Sequence, residues 1–138
     1  MISNPGVRIM FGALVLLVAN SASAFAKCGS GLVMKSESAS SFEVSMDAGA
    51  QKISTSEPLT VHVSVCPTGN GGIERFKFDA TMPAHGHGMN YVPEITDRGE
   101  NRYSASGLLL HMPGMWRFEV SFGFGGKIHR FIRDVEVE

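Results

Sequence analysis

The chain has 138 residues, 12 basic and 13 acidic side chains, a net charge of −1 and two cysteines. That length favours one domain, and no basic run or aromatic-basic interleaving offers a nucleic-acid surface. Past the N-terminal segment no apolar stretch approaches bilayer length, so no membrane span is expected in the mature chain.

The first 26 residues read as a cleavable signal peptide. Arg8 is their only charge, and the apolar run Ile9–Val18 is too short to cross a bilayer comfortably. Small residues follow at Ser21–Ala24 and Ala26, giving cleavage after Ala24 or after Ala26. An uncleaved anchor running through Ala26 is the alternative, interrupted by Asn20, Ser21 and Ser23. Cleavage after Ala26 leaves a single domain, residues 27–138, of 112 residues with 11 basic and 13 acidic side chains. The expected destination is the periplasm or the medium.

In an exported chain, Cys28 and Cys66 are most simply a disulfide. It closes a loop of about 39 residues, worth roughly 4 kcal/mol in the chain-entropy account. Paired metal thiolates are the competing reading, disfavoured by oxidising surroundings and wide spacing.

Taken in order, residues 27–41 form a polar, extended lead-in with room for a short edge strand. Phe42, Val44 and Met46 alternate with polar neighbours, as do Leu59, Val61, Val63 and Val65, the period of a half-buried strand. His62 falls on the outer face of the second strand and reads as polar surface. A dense turn over Pro67–Gly72 precedes a strand over Ile73–Thr81, with Met82 continuing its inward parity. Thr96–Asn101 reads as a turn, and Tyr103–Leu110 as a strand interrupted by a bulge at Gly107. Trp116, Phe118, Val120, Phe122 and Phe124 mark a long aromatic strand. Gly125-Gly126 turns it into a hairpin partner over Lys127–Glu138, whose broken alternation predicts a bulge. No stretch has helical periodicity. About seven short strands imply an all-β fold, an immunoglobulin-like antiparallel β-sandwich.

Chemistry concentrates in two loops. The first, Thr81-Met-Pro-Ala-His-Gly-His-Gly-Met-Asn90, carries His85 and His87 between Met82 and Met89. The second carries His111, Met112 and Met115. Thioether beside imidazole favours copper, particularly Cu(I), over oxygen-seeking magnesium or calcium; zinc takes the histidines but has little use for the methionines. Gly86 and Gly88 free the backbone to bend both rings toward one point. The plainer readings are core packing for Met82 and Met112, a β-turn for Met112–Met115, and a polar loop tip for His85–His87. The loops meet only if their strands end on the same side of the sandwich. No Gly-x-Ser-x-Gly, Cys-x-x-Cys or His-Glu-x-x-His motif occurs, so no enzyme is expected.

The run Met82-Pro-Ala-His-Gly-His-Gly-Met89, then Gly99 and Tyr103, then Leu108 and Met112-Pro-Gly-Met-Trp116, resembles the YtkA-like domain family and is similar to FixH-like proteins. The likeness spans roughly Leu59 to Val137. It implies an exported or membrane-anchored immunoglobulin-like sandwich linked with metal handling and cytochrome oxidase assembly. Unlike FixH-like proteins, this chain shows no transmembrane anchor after its signal. The expected function is therefore copper buffering or delivery. The metal ligands would come from His85, His87, Met82, Met89, His111, Met112 and Met115, and the ion would pass to a receiving or membrane respiratory protein. The alternative is a metal-free adaptor that presents the two loops to a partner protein.

Overall fold

A computed structural model describes residues 28–67 and 72–138; the signal segment expected at residues 1–26 lies outside them. The described residues are all-β, with ten strands: β1 (Leu32–Val33), β2 (Lys35–Ser36), β3 (Glu43–Asp47), β4 (Leu59–Cys66), β5 (Glu74–Met82), β6 (His87–Gly88), β7 (Glu94–Gly99), β8 (Arg102–Leu108), β9 (Gly114–Phe124) and β10 (Lys127–Val137). Three of them, β1, β2 and β6, are two-residue edge pieces, which leaves seven full strands.

The strands form two sheets, ordered β1-β3-β4-β8-β7 and β2-β10-β9-β5-β6, with antiparallel pairing throughout the named strands. Stripped of the short pieces, the order is β3-β4-β8-β7 against β10-β9-β5. That is the four-plus-three arrangement of an immunoglobulin constant-type sandwich, in which strands one, two, five and four face strands seven, six and three. The expected fold class is therefore the fold observed.

Alternation decides the faces. Val61, Val63 and Val65 of β4 and Trp116, Phe118, Val120 and Phe122 of β9 are buried, while their neighbours in sequence, Gly123 apart, lie outside or at the margin. Inner faces of the two sheets share one core, whose bulk is Trp116, Phe118, Phe122 and Phe131. The side chains of Phe76 and Tyr103 stack across the gap between the sheets at 3.9 Å. Cys28 and Cys66 are joined as expected, with Cα atoms 5.6 Å apart, at the end of the sandwich where β4 finishes.

Local expectations divide. The bulge at Gly107 is present: residues 106 and 107 of β8 stand opposite Thr60 alone, and Gly107 takes a positive φ of 75°. The Gly125-Gly126 hairpin turn is present, with both residues at positive φ. Two expectations need correction. β10 has no bulge; it pairs with β9 without interruption from Lys127 to Val137. Its alternation breaks because polar His129 and Arg133 take inward positions while Ile128 lies outside, 53% exposed. Thr96–Asn101 is not all turn, because Glu94–Gly99 is the edge strand β7. An edge strand with little to bury has no apolar rhythm to betray it, and the turn is confined to Glu100 and Asn101, both at positive φ.

Candidate metal centre

The histidine loop begins where β5 leaves the core. Met82 is 2% exposed, and its carbonyl accepts hydrogen bonds from the backbone N–H groups of His85 (3.1 Å) and Gly86 (3.0 Å). That closes a tight turn over residues 82–86. Gly86 has φ +66° with open space around its missing Cβ, so conformation rather than room requires glycine there. The chain then folds back as β6, with His87 opposite Met82 and Gly88 opposite Thr81.

Register places His87. Directly opposed residues of an antiparallel pair project to the same side, so His87 shares the inner face with Met82. In the neighbouring pairing Ala80 opposes Phe118 and Thr81 opposes Arg117, so the next inward position of β9 beside Met82 is Trp116. Val135 opposes Trp116 from β10. One inner row of the sheet thus reads Val135, Trp116, Met82, His87, running from core to rim.

The second loop arrives from the other sheet. β8 ends at Leu108; Leu110 is buried, His111 and Pro113 are exposed, and Met112 packs half-buried on the core. Trp116 is fully buried and its indole Nε1–H donates to the Met112 carbonyl at 2.9 Å, which ties the loop to the aromatic strand. Gly114, at φ +123°, is required by its neighbour as well as by its backbone. A Cβ there would stand 3.1 Å from the Met82 methyl carbon.

The strand ends do lie on the same side, and the loops meet. Ring centroids of His87 and His111 are 5.4 Å apart with planes 27° from parallel; those of His85 and His87 are 5.8 Å apart. The indole of Trp116 stands nearly perpendicular to both partners, 5.6 Å from His111 and 6.5 Å from His87. Three of the chain's five histidines therefore gather at one rim of the sandwich. The methionines divide. Met82 and Met112 pack on the core, as their strand parity implied, and Met89 does the same from a half-buried position. Met115 is 50% exposed on the outer face of β9, the face away from Trp116 and His87.

Two imidazoles that share an ion, each nitrogen about 2.0 Å from it, have ring centroids no more than about 6 Å apart. The neighbouring pairs His85–His87 and His87–His111 satisfy that limit. Among the described residues, no group of three or more His, Cys, Asp or Glu side chains is gathered closely enough to hold an ion. The arrangement suits two-nitrogen ligation and lacks the four-donor cage of a structural zinc site.

Charge at this end is lopsided. Lys52 pairs with Glu138 at 2.9 Å and Arg117 pairs with Asp134 at 2.7 Å. Glu57, beside the Ser56 that donates to the Leu110 carbonyl, Glu94 at the start of β7, and Glu136 opposite Met115 have no such basic partner among the described residues. A rim of exposed carboxylates draws cations by long-range attraction.

Trp116 is the residue that reading the sequence for ligands missed. In the sequence it stands as the first aromatic of a core strand and as the last residue of the Met112–Trp116 run that carries the family likeness. The signal that could have marked it is its place immediately after the second loop, with parity pointing inward.

Comparison with known proteins brings no match, whether to a family model, a curated protein or a solved structure. The functional reading of the rim accordingly rests on its geometry and donor chemistry.

Proposed function

We propose that this protein binds copper as Cu(I) at the His85–His87–His111 rim and buffers the ion or passes it on. The observation that carries the reading is the 5.4 Å approach of His87 to His111, two histidines 24 positions apart brought from opposite sheets to one opening. Imidazoles are the nearest donors, with no carboxylate among them. A dication held there brings two charges into a partly dry site with no anionic ligand to offset them, whereas Cu(I) brings one and accepts two nitrogens. The buried thioether of Met82, in the same inner row as His87, and those of Met89 and Met112 on the core add soft, polarizable surroundings. Exposure of His85 and His111 leaves the ion accessible for ligand exchange with a partner. The disulfide accords with export, and among the described residues no helix is long and apolar enough to cross a membrane. The sandwich accords with the resemblance to the YtkA-like family.

Anaerobic titration of the mature domain with Cu(I) against a competing chelator tests the proposal. One ion per chain is expected, with affinity falling at least about tenfold in a His85→Ala/His87→Ala variant. Equal affinity in the variant removes these residues from the site.

A metal-independent adaptor role has one observation in its favour. The connection from β6 to β7 exposes Val92 (89%) and Tyr91 (38%), apolar surface of the kind partners cover. Capture of the same partner by immobilised domain with and without chelator would favour this second role.

A further inference from the structure

We infer that Trp116 is the selectivity element of the rim: its indole walls the histidine pair on the core side and biases the site toward soft monovalent ions of low coordination number. This deepens the copper reading and rests on it.

His87 and His111 are near-parallel at 5.4 Å, and the indole stands at 76° and 83° to them, with centroids 6.5 and 5.6 Å away. The three centroids form a triangle of 5.4, 5.6 and 6.5 Å sides, so the buried indole lines the core side of the histidine pair. An ion held on the indole side of the two imidazoles comes within about 6 Å of the indole centroid, the reach of cation–π attraction, which is strongest for tryptophan. The indole itself is fixed. It has no solvent exposure, and its N–H is engaged by the Met112 carbonyl at 2.9 Å. It can offer an ion its π system but no lone pair, and it cannot swing away to admit water.

That immobility discriminates among ions. Zn(II) takes four ligands, and Mg(II) and Ca(II) take six or more, with water completing the shell where protein donors run out. Water is excluded from the side that Trp116 occupies. Cu(I) and Ag(I) accept two nitrogens and give up little when the rest of their surroundings are aromatic and thioether. Met82, the inner-row neighbour of both Trp116 and His87, extends the same dry, polarizable wall, and Gly114 leaves room for its methyl group.

Trp116 is the only tryptophan in the chain, so its emission reports on this site alone. The test uses Ag(I), which needs no reductant and leaves the disulfide intact. Calorimetry counts bound ions while tryptophan emission is followed in the same titration. The expected result is quenching that saturates at one Ag(I) per chain, with no change on adding Zn(II) at equal concentration. Trp116→Phe, which keeps most of the volume, and Trp116→Leu, which removes the ring, are each checked for folding by circular dichroism. The preference for Ag(I) over Zn(II) should fall at least about tenfold in Trp116→Leu and less in Trp116→Phe. If Ag(I) binds but the emission is unmoved, or Zn(II) binds as well as Ag(I) to the wild type, this role for Trp116 is wrong while the metal site stands. If no Ag(I) binds, the role and the underlying copper reading fall together.

Discussion

Two histidine–aromatic clusters occupy opposite ends of the sandwich, and they are built differently. At the cystine end His129 is packed among phenylalanines, stacked on Phe122 at 5.5 Å and edge-on to Phe42 at 5.2 Å. Its Nδ1 has a hydroxyl partner in Ser40 at 3.3 Å, and no second imidazole is paired with it. At the other end His87 lies between two neighbouring imidazoles, those of His85 and His111, beside a single indole, on turns that depend on Gly86 and Gly114. The same residue type in a similarly aromatic setting is a packing element at one end and a candidate ligand at the other. The difference lies in how many donors converge, and in whether each already has a partner. The cystine end is closed covalently, whereas backbone hydrogen bonds hold the rim.

The strongest way to break that contrast is to open the closed end. A Cys28→Ser/Cys66→Ser variant should lose roughly 4 kcal/mol of unfolding free energy, read from urea denaturation. If the ends are independent, the variant still binds Cu(I) with wild-type affinity below its unfolding transition. Loss of binding by a folded variant would mean that the cystine shapes the rim.

Next in size is a change at the rim's own scaffold. Gly114→Ala places a methyl group at φ +123°, 3.1 Å from the Met82 methyl carbon, and should cost about 1–3 kcal/mol of stability. Because Met82 shares the inner row with His87, Cu(I) affinity should fall as well. A variant as stable as the wild type would show that Met82 moves aside freely.

The two clusters can also be exchanged as controls. His129→Phe should leave Cu(I) affinity unchanged, while His87→Ala should lower it at least about tenfold and alter stability by less than about 1 kcal/mol. Chelator competition and thermal unfolding on both variants give the four values. If both histidines respond alike, the distinction between the ends is lost.

Much of this was legible in the sequence because strands bury alternate residues. Parity assigned Val61, Val63, Val65 and the β9 aromatics to the core, and export context paired Cys28 with Cys66. It also anticipated Met82 and Met112 as packing rather than as clear ligands. What stayed hidden was long-range. The meeting of His87 with His111 follows from the position of β5 beside β9 and from the route between sheets after β8, and no local pattern encodes either. β7 stayed hidden for the opposite reason, as an edge strand with polar residues on a surface that needs no burial. The inward turn of His129 and Arg133 likewise mimicked a bulge, since hydropathy marks polarity and not direction.

The smallest expected effect concerns the ion pair that links β9 to β10 beside the rim. Arg117 donates to Asp134 through Nε at 2.7 Å and through a terminal nitrogen at 2.9 Å, a bidentate pair. The hydrogen bond from Arg117 holds the Asp134 carboxyl below the usual aspartate range; burial opposes it, and the charges of Arg117 and Arg133 add to the lowering. A carboxyl whose folded-state pKa is depressed binds its proton more weakly in the native chain than in the unfolded one. Its contribution is therefore complete above the unfolded value, near 3.9, and is lost as pH falls through the folded value. Asp134→Asn should make stability less dependent on pH below about 4 while changing it little at pH 7, because both groups are largely exposed and screened. Acid denaturation of the two chains at low and high salt checks this. Coincident curves at low salt would show that the pair contributes nothing to holding β9 and β10 together beneath the rim.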